Sequence, residues 1–370
     1  MKILTILGAR PQFVKAATVS RAIAQHNAEH KGDKIEEMII HTGQHFDANM
    51  SDIFFDQMDI PKPHKNLAFG SLSHGAMAGK MLEAIEVIIN DEQPDWVLVY
   101  GDTNSTLAGS LAASKLQVPV AHVEAGLRSF NMAMPEEINR TLTDRVSSIL
   151  FCPTQTAVDN LKKEGYPFGT PSGGEQKIIN CGDVMYDATL YYKERAKAGI
   201  QLSAWRLEEK QYALCTIHRA ENTDDPKRLE SIFKALRVIN KTCPVVLPIH
   251  PRTKNIIEKL GHQDWLDDFS VLEPQPYLET QRLEMGAEVI LTDSGGMQKE
   301  AYFHGVPCVT LRDETEWVET VDMGWNKVVG ADEGKILDAF EKRCLPTLKQ
   351  QPYGDGFSAD EIVRLLSTRS

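Results

Sequence analysis

Residues Glu288-Val-Ile-Leu-Thr-Asp-Ser-Gly-Gly-Met-Gln-Lys-Glu300 decide how this chain is read. The apolar run Glu288–Leu291 stops at Asp293-Ser294, two glycines follow, and a helix-compatible stretch begins. That is a strand feeding a helix whose first turn carries no side chains. Amides there lack intrahelical partners, and the helix dipole adds positive potential, so such a turn can seat an anion. Ser294 can add a hydroxyl to the amides of Gly295 and Gly296, and Glu300 can accept hydrogen bonds from a diol such as a ribose. The pattern reads as a seat for a nucleotide diphosphate; the alternative is a bare glycine-rich turn.

Outward from this stretch, short apolar strands alternate with amphipathic helices. Strands are expected at Ile3–Leu7, Glu37–Thr42, Trp96–Tyr100, Val118–Val123 and Ile149–Cys152. A second series runs from Lys177–Asn180 and Tyr212–Thr216 through Val245–Ile249, Ser270–Leu272, Val289–Thr292 and Cys308–Leu311 to Lys327–Val329. A helix is expected over Ala76–Ile89, where Met77, Met81, Ile85 and Ile88 recur at helical spacing. Buried strands alternating with helices give parallel sheets, so the fold class is α/β. The stretch from Gly165 to Gln176, with two prolines and four glycines, reads as a linker. It divides the chain into an N-terminal domain over 1–168 and a C-terminal domain over 177–350, with a final helix over 358–370 packing back on the first. Ligands of open α/β sheets bind beyond the carboxyl ends of strands, which makes a cleft shared by the two domains the expected site.

At 370 residues the chain is long enough for two cores. A net charge of −12 argues against nucleic-acid or anionic-membrane partners, without excluding a small anion in a local basic pocket. Six scattered cysteines with no CxxC read as reduced thiols of a cytoplasmic protein. No signal peptide and no membrane span are expected. His41 and His45 lie four apart, but no carboxylate joins them in a zinc motif, so no metal is expected.

Strand ends carry the remaining chemistry. Gly8-Ala-Arg10-Pro11-Gln12 follows the first strand, with Lys15 one turn later; Arg10 and Lys15 suit phosphates or a carboxylate, or are surface charges at a helix start. Asp102 in Tyr100-Gly-Asp-Thr-Asn is either a cleft carboxylate or an N-cap. Glu124 in His122-Val-Glu-Ala-Gly-Leu-Arg128 points to the same place, or pairs with Arg128. Glu136 and Glu137 open a helix after Pro135, where dipole compensation explains one of them. Carboxylates converging at strand ends suit proton abstraction and delivery at carbon. In the second half, Thr216-Ile-His218-Arg219 and Pro248-Ile-His250-Pro-Arg252 follow strands, and His218 and Arg219 suit a pyrophosphate beside Ser294–Gly296.

Gly8-Ala-Arg-Pro11, Gly101-Asp-Thr103, His122–Arg128, Pro135-Glu-Glu137 with Asn139-Arg140, Leu291–Gly296 and Pro352-Tyr-Gly-Asp-Gly356, in this order, closely resemble the non-hydrolysing UDP-N-acetylglucosamine 2-epimerase family. The resemblance runs nearly end to end. It implies two Rossmann-like domains around a cleft in a glycosyltransferase-B-like architecture, and a homodimer. It implies an elimination and re-addition: a base removes the proton at sugar carbon 2, UDP leaves carbon 1, and UDP returns to the glycal while a proton enters the opposite face. Arg10, Lys15, His218, Arg219, Ser294, Gly295, Gly296 and Glu300 would then hold the UDP-sugar. Asp102, Glu124, Glu136 and His218 would carry the chemistry, with no metal or other cofactor. A hydrolysing relative, or a glycosyltransferase on the same frame, is the alternative.

Three departures from the family pattern stand out. Gln12 stands where Arg-Pro-Glu is common, and Trp317 in Thr315-Glu-Trp-Val-Glu319 stands where Thr-Glu-Arg-Pro-Glu is common. Gln44-His-Phe-Asp47 and Lys80 replace residues of a regulatory UDP-sugar site, which puts that site in doubt. These variants resemble the branch acting on UDP-2,3-diacetamido-2,3-dideoxyglucuronate, and archaeal-type UDP-N-acetylglucosamine epimerases share some of them.

Overall fold

The structure, a computed structural model, describes residues 1–43, 58, 60–70, 72–343, 346 and 350–368, with the side chain of Arg10 outside the described set. The chain forms two compact units, Met1–Ala188 with Gln351–Ser370, and Thr189–Gln350.

The first unit is built on seven strands: β1 (Lys2–Leu7), β2 (Glu36–His41), β3 (Lys65–Asn66), β4 (Trp96–Tyr100), β5 (Val120–Val123), β6 (Ile149–Cys152) and β7 (Lys177–Asn180). They lie in the order β3-β2-β1-β4-β5-β6-β7, and each neighbouring pair is parallel. The second unit has β8 (Ala213–Thr216), β9 (Val245–Pro248), β10 (Ser270–Leu272), β11 (Val289–Thr292), β12 (Cys308–Thr310) and β13 (Asn326–Val328). Their order, β10-β9-β8-β11-β12-β13, is again all parallel. Both orders are doubly wound. Chain direction across the sheet reverses between β1 and β4 in one unit and between β8 and β11 in the other, which are the places where such sheets take ligands.

The strands form because their residues are apolar on both faces and covered on both sides. Val97, Leu98, Val99 and Tyr100 are wholly buried, as are Val289, Ile290 and Leu291. In the first unit Leu4, Ile6, Val97 and Val99 pack on Met81, Ile85 and Ala112 of helices His74–Glu92 and Asn104–Lys115. Each fully buried Leu or Ile contributes about 1.5–3 kcal/mol relative to exposure. Gly8 ends β1 where those layers meet. A Cβ there would stand 2.0 Å from Ser105 Oγ and 2.2 Å from Thr42 Oγ1, so only glycine fits. In the second unit the core gathers Leu291, Val309 and Leu311 with Leu229, Phe233 and Leu236 of helix Pro226–Asn240.

The division between units falls later than the sequence reading puts it. Lys177–Asn180 is β7, paired with Ile149–Cys152, and belongs to the first sheet. Gln176 Nε2 donates to the carbonyls of Asp144 and Ser147, both at 2.8 Å, tying the supposed linker into the first unit. Glycines and prolines mark a tight loop there, and composition does not separate such a loop from a linker. Helix Ser358–Ser367 packs on helix Arg10–Glu29. The N–H of Ala359 donates to Asp187 Oδ2 at 2.7 Å, which satisfies one of its first-turn amides. Among the described residues no helix is long and apolar enough to cross a membrane, and the five described cysteines are free.

Candidate functional site

In the first unit the sequence-predicted carboxylates gather at the ends of β4 and β5. Gly101 turns the chain with φ of +62°, and its N–H donates to Val123 O at 2.9 Å. Asp102 follows, about half-buried. The N-cap of helix Asn104–Lys115 is Thr103, whose hydroxyl accepts from the N–H of Thr106, so Asp102 is not spent on capping. Its Oδ2 accepts from Arg140 Nη2, and its carbonyl accepts from Asn139 Nδ2 at 2.9 Å.

Glu124 sits one residue past β5 with φ of +71°, in the left-handed region. The N–H groups of Glu124 and Ala125 both donate to Phe151 O, at 3.1 and 3.0 Å. A non-glycine residue there costs on the order of 1 kcal/mol and persists only where its surroundings demand it. The result is a buried carboxylate whose Oε1 accepts from Lys15 Nζ at 2.5 Å, each side chain 8% exposed. The pair lies against Gly101, where a Cβ would meet Lys15 Nζ at 3.2 Å and Glu124 Oε1 at 3.5 Å.

The Glu124–Arg128 pairing considered from sequence is therefore not made. Arg128 is buried and reaches Asp144 Oδ2 at 2.7 Å and both oxygens of Glu164 at 2.7 and 2.8 Å. Lys15, read as a substrate contact, donates to the Glu124 carboxylate. Burial alone would push the Asp144 carboxyl up, but His122 and Arg128 outweigh it and hold it below its ordinary value.

Helix Pro135–Val146 supplies the other side of this cluster. Glu136 is half-buried on its first turn. Its neighbour Glu137 does more than compensate the dipole: it accepts from the N–H and hydroxyl of Ser129 and the N–H of Phe130, all at 3.0 Å, and pairs with Arg140. Sequence reasoning missed His122, Asp144 and Arg140 as members of the cluster. For Arg140 and Asp144 the signal was helical spacing, since Glu137, Arg140 and Asp144 are three and four apart on helix Pro135–Val146; His122, on β5, carried no such signal.

Gln12, a family departure, is 1% exposed. Its Oε1 accepts from the N–H groups of Gly8 and Ala9 at 2.8 and 3.0 Å, and its Nε2 donates to Tyr100 O and Thr106 Oγ1 at 2.8 and 3.0 Å. It is a bracket between β1 and β4.

In the second unit β8 and β11 end side by side. Asp293, wholly buried, accepts from the N–H of His218 at 3.0 Å, the N–H of Arg219 at 3.0 Å and Asn222 Nδ2 at 3.1 Å. His218 Nδ1 lies 3.3 Å from Asp293 Oδ1 with its ring partly exposed. Burial pulls the His218 ring below its ordinary value, against the opposing pull of Asp293. Helix Gly295–His304 begins here with Ser294 as N-cap. The N–H of Ser294 donates to Thr292 Oγ1 at 2.9 Å, which leaves the hydroxyl as the group Ser294 can offer the anion seat. Gly295 and Gly296 open the first turn, and a Cβ on Gly296 would approach nothing nearer than Glu300 Oε2 at 3.9 Å. Glu300 is buried, its Oε1 accepting from Gln281 Nε2 at 2.9 Å. The second histidine–arginine turn is consumed by structure. His250 caps its helix, and Arg252 donates to both oxygens of Asp224 at 2.6 and 2.7 Å.

Two doubly wound sheets, with carboxylates at the switch point of one and a histidine beside a glycine-rich helix start at the switch point of the other, define an α/β protein of the glycosyltransferase-B-like class. The family model described as UDP-N-acetylglucosamine 2-epimerase matches residues 27–367. The chain is 53% identical to UDP-2,3-diacetamido-2,3-dideoxy-D-glucuronate 2-epimerase of Pseudomonas aeruginosa, covering 99% of each chain. It is 51% identical to a UDP-N-acetylglucosamine 2-epimerase homolog of Methanococcus maripaludis, again covering 99% of each. The crystal structure of Methanocaldococcus jannaschii UDP-GlcNAc 2-epimerase in complex with UDP-GlcNAc and UDP superposes with a TM-score of 0.89 at 44% identity, covering 100% of both chains. The chain belongs to the UDP-N-acetylglucosamine 2-epimerase family, and it is an epimerase, an isomerase.

Proposed function

We propose that this enzyme inverts carbon 2 of UDP-2,3-diacetamido-2,3-dideoxyglucuronate, giving the manno epimer, by eliminating and re-adding UDP. The observation that carries the reaction is Glu124, a buried carboxylate in left-handed backbone beside Lys15 and Gly101. The substrate rests on the 53% identity to the Pseudomonas aeruginosa enzyme.

In the elimination, the carbon 2 proton passes to a carboxylate and the C2–H electron pair becomes the C1=C2 bond. The C1–O pair leaves with UDP. Return of UDP to carbon 1, with a proton delivered to the other face of carbon 2, completes the inversion. Two proton-exchanging groups are needed, and Asp102, Glu124 and Glu136 supply them. The leaving diphosphate gains negative charge, which Arg10, His218, Arg219 and the amides of Gly295 and Gly296 stabilise, with Glu300 on the ribose. A carbon acid next to a leaving phosphate needs no metal and no redox cofactor, so prolonged dialysis against a chelator leaves the rate unchanged. The free thiols support a cytoplasmic enzyme. Exposed Ile138 and Leu142, four apart on helix Pro135–Val146, support a homodimer, which sedimentation tests.

Archaeal relatives named for UDP-N-acetylglucosamine favour that sugar as the second reading. Proton NMR in deuterium oxide decides, with each nucleotide sugar in a separate tube. Deuterium at carbon 2 with manno product only from the diacetamidouronate supports the proposal; exchange from UDP-N-acetylglucosamine assigns the second substrate. Free mannosamine sugar and UDP as the end products would indicate a hydrolysing enzyme. Product lacking deuterium at carbon 2 would sink the elimination mechanism.

A further inference from the structure

His122 lies on β5, wholly buried, and takes no part in the chemistry above. Its Nε2 donates to the carbonyl of Gly101 at 2.7 Å. A carbonyl only accepts, so this nitrogen carries a hydrogen. Its Nδ1 faces Asp144 Oδ1 at 2.7 Å. The other oxygen of Asp144 accepts from the N–H of Gly126 at 3.2 Å and from Arg128 Nη1 at 2.7 Å. One bonded chain thus runs from Gly101 through His122 and Asp144 to Gly126 and Arg128.

That chain joins two turns. Gly101 precedes Asp102; its N–H is held by Val123 O at 2.9 Å, and lacking a side chain it takes the left-handed turn at little cost. Gly126 and Arg128 follow Glu124, whose own left-handed backbone is uphill and must be held. We infer that His122, bridged to Asp144, is the positioning residue that fixes the Gly101 and Glu124 turns relative to each other, and so sets the spacing of the Asp102 and Glu124 carboxylates. This rests on the reading that those two carboxylates exchange the carbon 2 proton. With Nε2 committed to the Gly101 carbonyl, Nδ1 is the end that meets Asp144, and the ring orientation is fixed.

The test uses the full-length enzyme and counts active sites by UDP binding, so that unfolded protein does not distort kcat. Asn replaces the donor facing Asp144 but does not reach Gly101; Gln reaches Gly101 with its amide. His122→Asn is expected to lower kcat for carbon 2 exchange by about 10–100-fold per UDP-binding site, with KM and UDP affinity within about threefold, since misplacement by about 1 Å costs that much. His122→Gln, which keeps the Gly101 contact and gives up the one to Asp144, is expected to lower kcat as well with KM unchanged, because the bridge needs both ends. Wild-type kcat in either variant, or a loss carried by KM and UDP affinity in place of kcat, overturns the inference. If the Asn variant does not fold, the nitrogen-15 spectrum of the wild-type ring decides. A protonated Nε2 with Nδ1 in a hydrogen bond supports the bridge, and a bare Nε2, which cannot donate to the Gly101 carbonyl, overturns it. Failure of the acid–base reading shows separately, as undiminished exchange in Asp102→Asn and Glu124→Gln.

Discussion

Lys15→Met isolates what holds the first cluster together. Lys15 and Glu124 are each 8% exposed and 2.5 Å apart. The contrast within the same molecule is Lys234–Glu230, at 2.9 Å but 54% and 49% exposed. Pairs of the exposed kind contribute roughly 0.2–1 kcal/mol. Removing one partner of a buried pair costs about 3–5 kcal/mol, because the other charge stays buried and loses that compensation. Lys15→Met should therefore cost about 3 kcal/mol at pH 8. The cost falls on the charged form of Glu124, and protonation avoids it. The sign follows: the penalty is full at high pH and shrinks as the pH falls into the ordinary carboxylate range. Glu124→Gln in the Lys15→Met background removes the carboxylate charge, and the coupling in the double-mutant cycle should be about 2–3 kcal/mol. Urea titration of all four proteins at pH 5 and pH 8 measures this, with hydrogen exchange of β4 and β5 amides reporting the first unit. A Lys15→Met cost below about 0.5 kcal/mol, or one that does not change with pH, would refute the argument that burial makes this pair matter.

Asp102→Asn, Glu124→Gln and Glu136→Gln should each slow carbon 2 exchange by about 10²–10⁴-fold while sparing UDP binding in calorimetry; parallel loss of UDP affinity would count against a proton-transfer role. His218→Ala should weaken UDP binding about tenfold, and unchanged affinity would remove it from the diphosphate seat. Asp187 is buried and its carboxyl is pushed up to about 6 by burial, against the N–H of Ala359. A raised carboxyl stabilises fully below the unfolded value and loses that contribution as pH rises through about 6. Asp187→Asn keeps an acceptor for Ala359 without the charge, so it should stabilise by on the order of 2 kcal/mol at pH 7.5 and by little at pH 4; a less stable variant at pH 7.5 would contradict this.

Most of this fold was written in strand periodicity. Ile149–Cys152, Lys177–Asn180 and Val289–Thr292 stand where their residues suggest. Lys65–Asn66 was invisible because both residues are exposed and carry no apolar signal. The domain boundary was misplaced because Gly165–Gln176 has linker composition while Gln176 bonds into the first unit. Within the sites, sequence located residues but not their partners. Asp293 looked like the end of a strand, yet it receives the His218 and Arg219 amides from 75 and 74 residues away. Asp144, which no motif singles out, collects His122, Gly126 and Arg128. Such pairings depend on which strands become neighbours, and local pattern does not encode that. Gln44–Asp47, on which the doubt about a regulatory site turned, lie outside the described residues, and Lys80 is exposed on helix His74–Glu92.

Trp317, the departure nearest the glycine-rich turn, can be argued further. Lys299 Nζ stands 4.0 Å from the centre of the Trp317 ring, and the two residues are 1% and 3% exposed. The loop carrying Trp317 is tied to the helix by Thr315, whose hydroxyl donates to Gln298 Oε1 at 2.6 Å and accepts the N–H of Trp317 at 3.1 Å. A buried lysine over an aromatic face is a cation–π contact, worth about 2 kcal/mol when desolvated. An arginine at 317 would instead set a second cation against Lys299. Like charges about 4 Å apart repel by about 4 kcal/mol at an effective dielectric near 20. Trp317→Arg alone should therefore destabilise the second unit, and Lys299→Glu added to it should create an ion pair and recover most of the loss. Thermal unfolding of the two singles and the double measures the cycle. If Trp317→Arg melts with wild type, the two positions do not constrain each other. If the double recovers what Trp317→Arg loses, the tryptophan and Lys299 are a coupled pair.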